Sequence, residues 1–236
     1  MATKHEQPVV WFQEVSSDDV PAVGGKNASL GEMIRELKSK GVPVPDGFAT
    51  TANAYWAFLK HNDLGDKIEE LVSDYRNNKK SLHEAGQTIR HLFAEAEFPQ
   101  DIAEAIRKAY GELSKKYKSE NVGVAVRSSA TAEDLPSASF AGQQESFLNI
   151  SGPNSVLDAC KRCYASLFTD RAISYREDQG FGQMKVALSV GVQKMVRSDL
   201  ASAGVIFTLD PETGFRDTIV ITGSWGLGES VVQGQV

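Results

Sequence analysis

The sequence predicts an α+β (mixed α/β) fold, and three observations carry that expectation. A helical pattern runs from Thr51 to about Tyr117. Compact apolar strand candidates stand on both sides of it. Helices and strands then alternate, but without the strict βαβ regularity of a parallel sheet.

Val9 to Phe12 is the first strand candidate. A polar stretch and Pro21 follow, after which Val23-Gly24-Gly25-Lys26-Asn27 opens a helix. Leu30, Met33, Ile34 and Leu37 give that helix one apolar face, and Gly41 stops it. Pro43, Pro45 and Gly47 keep the next stretch out of a helix. Breaks near Asn62-Asp63, Asn77-Asn78 and Phe98-Pro99 divide the helical region, whose last stripe is Ile102, Ala105, Ile106, Ala109 and Leu113. Val122 to Val126 reads as a strand, Arg127 to Gln144 as a polar loop, and Phe147 to Ile150 as a strand. Ser155 to Gln179 reads as one long helix. Strands are expected at Lys185 to Val196 and Ala203 to Leu209, and the turn Asp210-Pro211-Glu212-Thr213-Gly214 leads into another at Thr218 to Thr222. The apolar run begun at Ser230 has no polar tail by Val236, which reads as a cut inside a domain.

The 236 residues include 25 Lys and Arg against 31 Asp and Glu, a net charge of −6 that argues against sequence-independent nucleic-acid binding. No apolar run approaches the roughly 18 residues of a membrane helix, and Met1 to Pro8 lacks the features of a signal peptide. Cys160 and Cys163 are too few for a secreted disulfide framework. A cytoplasmic protein that engages neither membrane nor nucleic acid is expected.

Gly24-Gly25-Lys26 at a helix start is the first candidate site. Glycines let the backbone approach a phosphate, the helix start offers N–H groups, and Lys26 adds a movable charge. The same residues also read as a plain glycine turn with Lys26 in solvent, and they do not form a Walker A loop. Arg127, at the end of an apolar strand, is the second candidate. Its guanidinium fork suits phosphate oxygens, although an ion pair with Glu133 or Asp134 explains it equally well. Gly223-Ser224-Trp225-Gly226-Leu227-Gly228 reads as a structural turn, because Val231 stands where a dinucleotide fingerprint closes with Gly or Ala. Cys160 and Cys163 lie on an apolar helix face and read as core, and the four histidines read as surface residues.

Several ordered blocks resemble the N-terminal ATP-binding region of the phosphoenolpyruvate synthases (pyruvate, water dikinases), within the PEP-utilising, pyruvate phosphate dikinase family. They are Val23 to Met33, Val126 to Ile150, Ala165 to Ala172, Gln193 to Ser202 and Trp225 to Glu229. The resemblance implies an incomplete ATP-grasp fold. Its first lobe spans residues 1–195 with a helical insert at about 51–117, and a second lobe begins at 196–236. Carried over residue by residue, it implies that Lys26 and Arg127 bind phosphate, that Gly142 supplies a backbone contact, and that Ser146 and Phe147 line the pocket. Gln193, Lys194 and Met195 then resemble the linker that reads the adenine edge.

The implied reaction converts ATP, pyruvate and water to AMP, phosphoenolpyruvate and phosphate through a phosphohistidine. No histidine here stands in that context. The phosphohistidine, the Mg²⁺ ligands and the pyruvate site are all expected beyond Val236, so the fragment alone is expected to be inactive. A homo-oligomer of the full-length protein stays open. So do a rifamycin phosphotransferase, which shares the same blocks, and a stand-alone nucleotide-binding module.

Overall fold

A computed structural model describes residues 6–131 and 145–235, and the backbone of 134–135 and 138–139. Contacts group the chain into two units, Met1–Met195 and Val196–Val236.

The first unit is built on a five-stranded sheet of order β1-β2-β7-β3-β6, in which every neighbouring pair is antiparallel. The strands are β1 (Val9–Trp11), β2 (Gly47–Thr50), β3 (Val124–Ala130), β6 (Ser146–Ile150) and β7 (Leu188–Lys194). β4 (Asp134–Leu135) and β5 (Ala138–Ser139) pair antiparallel as a separate two-stranded sheet. Alternation along β3 and β7 divides the sheet into two unlike faces. Val124, Val126, Val190 and Val192 point into the main core. Ala125, Arg127 and Ser129, with Ser189, Gly191 and Gln193, form the other face, as their register requires.

The valine face is covered by α2 (Ala52–His61), α3 (Leu64–Arg76), α4 (Leu82–Glu95), α5 (Gln100–Lys116), α6 (Pro153–Ala165) and α7 (Asp170–Asp178). Local chemistry starts several of these helices. Thr51 accepts from the Ala54 N–H at 3.3 Å. Ser81 and Glu84 form a reciprocal capping box, with bonds of 2.8 and 3.2 Å. The expected helix over Ser155 to Gln179 is instead two helices, α6 and α7, joined by a 3₁₀ turn at Ser166–Phe168. Ser166 turns its hydroxyl onto the Cys163 carbonyl at 2.6 Å, and extended Thr169 caps a fresh helix.

Arg176 on α7 is fully enclosed. It donates to Gln183 Oε1 at 2.6 Å and to the Leu167 carbonyl, and burial lowers its pKa to about 10. Gln183 also donates to Glu177 at 2.7 Å, and Glu177 holds Arg76 in a two-bond ion pair at 2.7 and 2.8 Å.

The small-residue face is covered by α1 (Val20–Lys38), with Phe12, Val15, Val23, Ala28, Ile34 and Ala49 in a second core. The expected apolar stripe of α1 is only partly buried. Ile34 is enclosed, but Met33 is 40% exposed, and Asn27, Ala28 and Gly31 take the inner face. Close approach to the sheet selects small residues there in place of large ones.

Cys160 and Cys163 are free thiols, both buried, and burial raises the Cys160 pKa to about 12 and that of Cys163 well above its ordinary value. Thiol reagents are therefore expected to leave both unmodified in the native protein and to titrate both after denaturation. Rapid native labelling of either would contradict their enclosure.

The second unit is a hairpin of β8 (Ser202–Phe207) and β9 (Val220–Trp225), followed by a short α8 (Glu229–Val232). Asp210 organises its loop, accepting from the Glu212 N–H at 3.0 Å and the Thr213 hydroxyl at 2.6 Å. One face of the hairpin presents Ile206, Ile221 and Trp225 to solvent. Among the described residues no helix is long and apolar enough to cross a membrane.

Candidate functional site

The site begins at a break in α1. Gly24 has φ +74° and ψ 163°, so the chain leaves helical geometry there and a second helical segment starts with Gly25 and Lys26. That backbone region is essentially open to glycine alone. A Cβ on Gly24 would also lie 2.3 Å from Ser129 Oγ and 2.5 Å from the Ser129 carbonyl oxygen. The break is therefore pressed directly onto β3. Immediately after it, the Asn27 N–H donates to Ser129 Oγ at 3.4 Å.

Arg127 lies one step along the same face. It is not at the end of its strand, as the sequence suggests, but in the middle of β3, which continues to Ala130. Pairing with β7 through Ser129↔Ser189 and Ala130↔Leu188 extends the strand through residues whose polarity reads as loop. Arg127 is paired with Gly191 on one side and Ser146 on the other. It is exposed between buried neighbours, a side chain held at its base and open at its tip.

Lys26, Arg127 and Gln193 line one small pocket of about 10 Å³, whose wall also includes Phe12, Asn27 and Gly191. Ser146 adjoins Arg127 by register. Phe147 and the linker residues make contacts of their own. Phe147 pairs with Val126 on the valine face and lies under the Arg162 guanidinium, 3.9 Å from its ring centre. Lys194, opposite Val124, reaches to within 5.2 Å of the Tyr117 ring centre on that same side. The Lys194 N–H donates to the Asp46 carbonyl and the Met195 N–H to that of Gly123, both at 2.9 Å. Gln193 donates its side-chain amide to Pro45 at 3.1 Å. Gly142 lies outside the described residues.

Two larger depressions, of about 230 and 510 Å³, do not include any of these expected residues. The first mixes Arg90, Lys161 and Arg162 with Glu145 and Asp158. Two of its cations are already committed, Arg90 to the Phe168 carbonyl at 2.7 Å and Lys161 to that of Ala94 at 3.0 Å. The smaller pocket, with a glycine-opened helix start and two cations, is chemically better suited to an anion. Among the described residues no three His, Cys, Asp or Glu side chains gather as a metal site requires.

Sequence reasoning missed the buried polar groups behind this pocket. Asn27 Nδ2 donates to the Val23 carbonyl at 3.0 Å and to Ser189 Oγ at 2.9 Å. Ser189 donates to the Thr50 carbonyl at 2.5 Å. Thr50 Oγ1 accepts from the Val190 N–H at 3.0 Å and from Tyr164 at 3.3 Å. Burial raises the Tyr164 hydroxyl pKa, keeping it a donor. A polar residue directly after Gly-Gly-Lys was the available signal.

Residues 20–236 match the family described as pyruvate phosphate dikinase, AMP/ATP-binding domain. The chain is 55% identical over 234 residues to phosphoenolpyruvate synthase of Aquifex aeolicus, covering 99% of this chain and 27% of that protein. It is 54% identical over 241 residues to that of Synechocystis sp., covering 100% and 30%. It is 53% identical over 229 residues to that of Escherichia coli, covering 97% and 29%. The chain thus spans under a third of the length of these curated relatives. On the match across nearly its whole length, the chain belongs to the pyruvate phosphate dikinase AMP/ATP-binding domain family.

Proposed function

We propose that this chain is the ATP-binding portion of a phosphoenolpyruvate synthase, which converts ATP, pyruvate and water to AMP, phosphoenolpyruvate and phosphate. The observation that carries the reading is the convergence of Lys26 and Arg127 on one pocket beside a glycine-opened helix start. In this reading the architecture is an ATP-grasp clamp, with residues 1–195 as its first lobe and the second lobe beginning at 196. Names of the relatives favour the synthase over an antibiotic phosphotransferase, since they are phosphoenolpyruvate synthases at 53–55% identity.

The chain's own contribution is binding and charge neutralisation. Arg127, fixed at its base by two neighbouring strands, offers a planar pair of donors to phosphate oxygens. Lys26 supplies a point charge on a flexible stem, able to follow phosphate as charge redistributes. Ser146 adds a hydroxyl next to Arg127, and Gln193 stands at the end of the pocket where β7 finishes. Phe147 packs on the valine face, behind the pocket, while Gln193, Lys194 and Met195 remain the proposed linker beside the adenine. The described residues do not gather a metal-binding set, and the Mg²⁺ ligands are proposed to lie in other parts of the full-length protein. Pyruvate and the phosphohistidine belong to other parts of the full-length protein.

The test is MgATP binding and turnover in the full-length protein. Phosphorus NMR after incubation with MgATP and pyruvate is expected to show phosphoenolpyruvate, AMP and phosphate together. Arg127→Ala is expected to weaken MgATP binding about 10- to 100-fold, the worth of one or two charge-assisted hydrogen bonds. The fold should remain intact, because the side chain is exposed. Unchanged nucleotide affinity in that variant removes Arg127 from the site.

A further inference from the structure

We propose that Asn27 is a positioning residue for the nucleotide, acting through Lys26. This rests on reading Lys26 and Arg127 as phosphate-binding cations. Asn27 follows Lys26 in sequence but points the opposite way. Lys26 is exposed, whereas Asn27 is 2% exposed between α1 and the sheet. Its amide bond to the Val23 carbonyl spans the two glycines and closes the break into a fixed loop. Its bond to Ser189 anchors that loop to β7. Its backbone N–H, on Ser129 Oγ, anchors it to β3.

The anchor reaches further than one contact. Ser189 passes the link to the Thr50 carbonyl on β2, so three strands fix where the Lys26 Cα sits. Asn27 Oδ1 also lies against Gly191, where a Cβ would come within 2.3 Å of it. Gly191 is the cross-strand partner of Arg127. One buried amide therefore sets the spacing between the seats of both cations. The chemistry demands an amide: two acceptors face Nδ2, and a carboxylate in its place would put oxygen against the Val23 carbonyl. Ser189 could reorient to donate to that carboxylate only by abandoning Thr50.

The experiment is a double-mutant cycle on MgATP affinity, read by calorimetry in the full-length protein. Its members are the native protein, Lys26→Ala, Asn27→Asp and the double variant, with circular dichroism confirming the fold of each. Asn27→Asp is expected to weaken binding about 10-fold with Lys26 present and less than about 2-fold without it. A general structural defect would weaken binding equally in both backgrounds, and that result, or no loss at all, overturns the proposal. If Asn27→Asp does not fold, Ser189→Ala removes the same anchor more gently. It is expected to show the same dependence on Lys26, and equal losses in both backgrounds again overturn the proposal. If Lys26→Ala binds as tightly as the native protein, the reading of Lys26 as a phosphate ligand is what fails, and the positioning role falls with it.

Discussion

Gly24→Ala is expected to abolish measurable MgATP binding and to cost about 2–6 kcal/mol of folding stability. Backbone strain supplies about 1–3 kcal/mol of that, and overpacking a similar amount. The first part follows from φ +74° and ψ 163°, a conformation that a side chain opposes whatever surrounds it. The second follows from contact with β3, where a Cβ would meet the Ser129 hydroxyl, carbonyl oxygen and carbonyl carbon at 2.3, 2.5 and 2.7 Å. Relief by moving α1 outward would separate Lys26 from Arg127, so binding fails even where folding survives. Removing the Ser129 hydroxyl as well should restore little, because the backbone oxygen stays in place. Equilibrium urea unfolding and calorimetry read the two effects separately. A Gly24→Ala protein that binds nucleotide normally would show that the break has no part in the site.

Phe58→Ala carries the second large effect, a loss of about 3–5 kcal/mol from an emptied aromatic core position. Phe58 is fully enclosed, with ring centres of Phe98, Tyr164 and Phe93 at 4.9, 5.4 and 5.9 Å. It joins α2 to α4 and α6 and to the segment entering α5. Those contacts lie on the valine face of the sheet, opposite the pocket. The MgATP dissociation constant, measured well below the unfolding transition, should therefore change far less than for Gly24→Ala. A stability loss below about 1 kcal/mol would mean that the surrounding rings close the gap.

The helical layer was legible because its punctuation is local. Asn62-Asp63, Asn77-Asn78 and Phe98-Pro99 interrupt apolar periodicity, and α2, α3, α4 and α5 end and begin at those places. Strand β2 was not legible. Gly47, Phe48, Ala49 and Thr50 are buried on both faces, so no alternation marks them, and prolines just before them suggest a loop. The end of β3 was hidden for a related reason, since Arg127, Ser128 and Ser129 look like loop until β7 is known to lie beside them. Lys26 and Arg127 could be singled out because cations beside glycines or at strand ends are unusual. The anchor behind them could not, since Asn27 and Ser189 stand 162 positions apart, and Ser189 and Thr50 139. Phe147 shows the converse: a residue one position from Ser146 in sequence faces the other side of the sheet.

The two enclosed thiols have a practical consequence for watching this protein at work. A cysteine introduced at Met33, on the solvent side of α1, would be the thiol of this chain that a maleimide dye finds in the folded state. Neither native cysteine has to be removed to achieve that selectivity. A fluorophore there would ride on the same helical segment that Lys26 opens. The core cysteines thus leave the chain optically addressable in its natural sequence background.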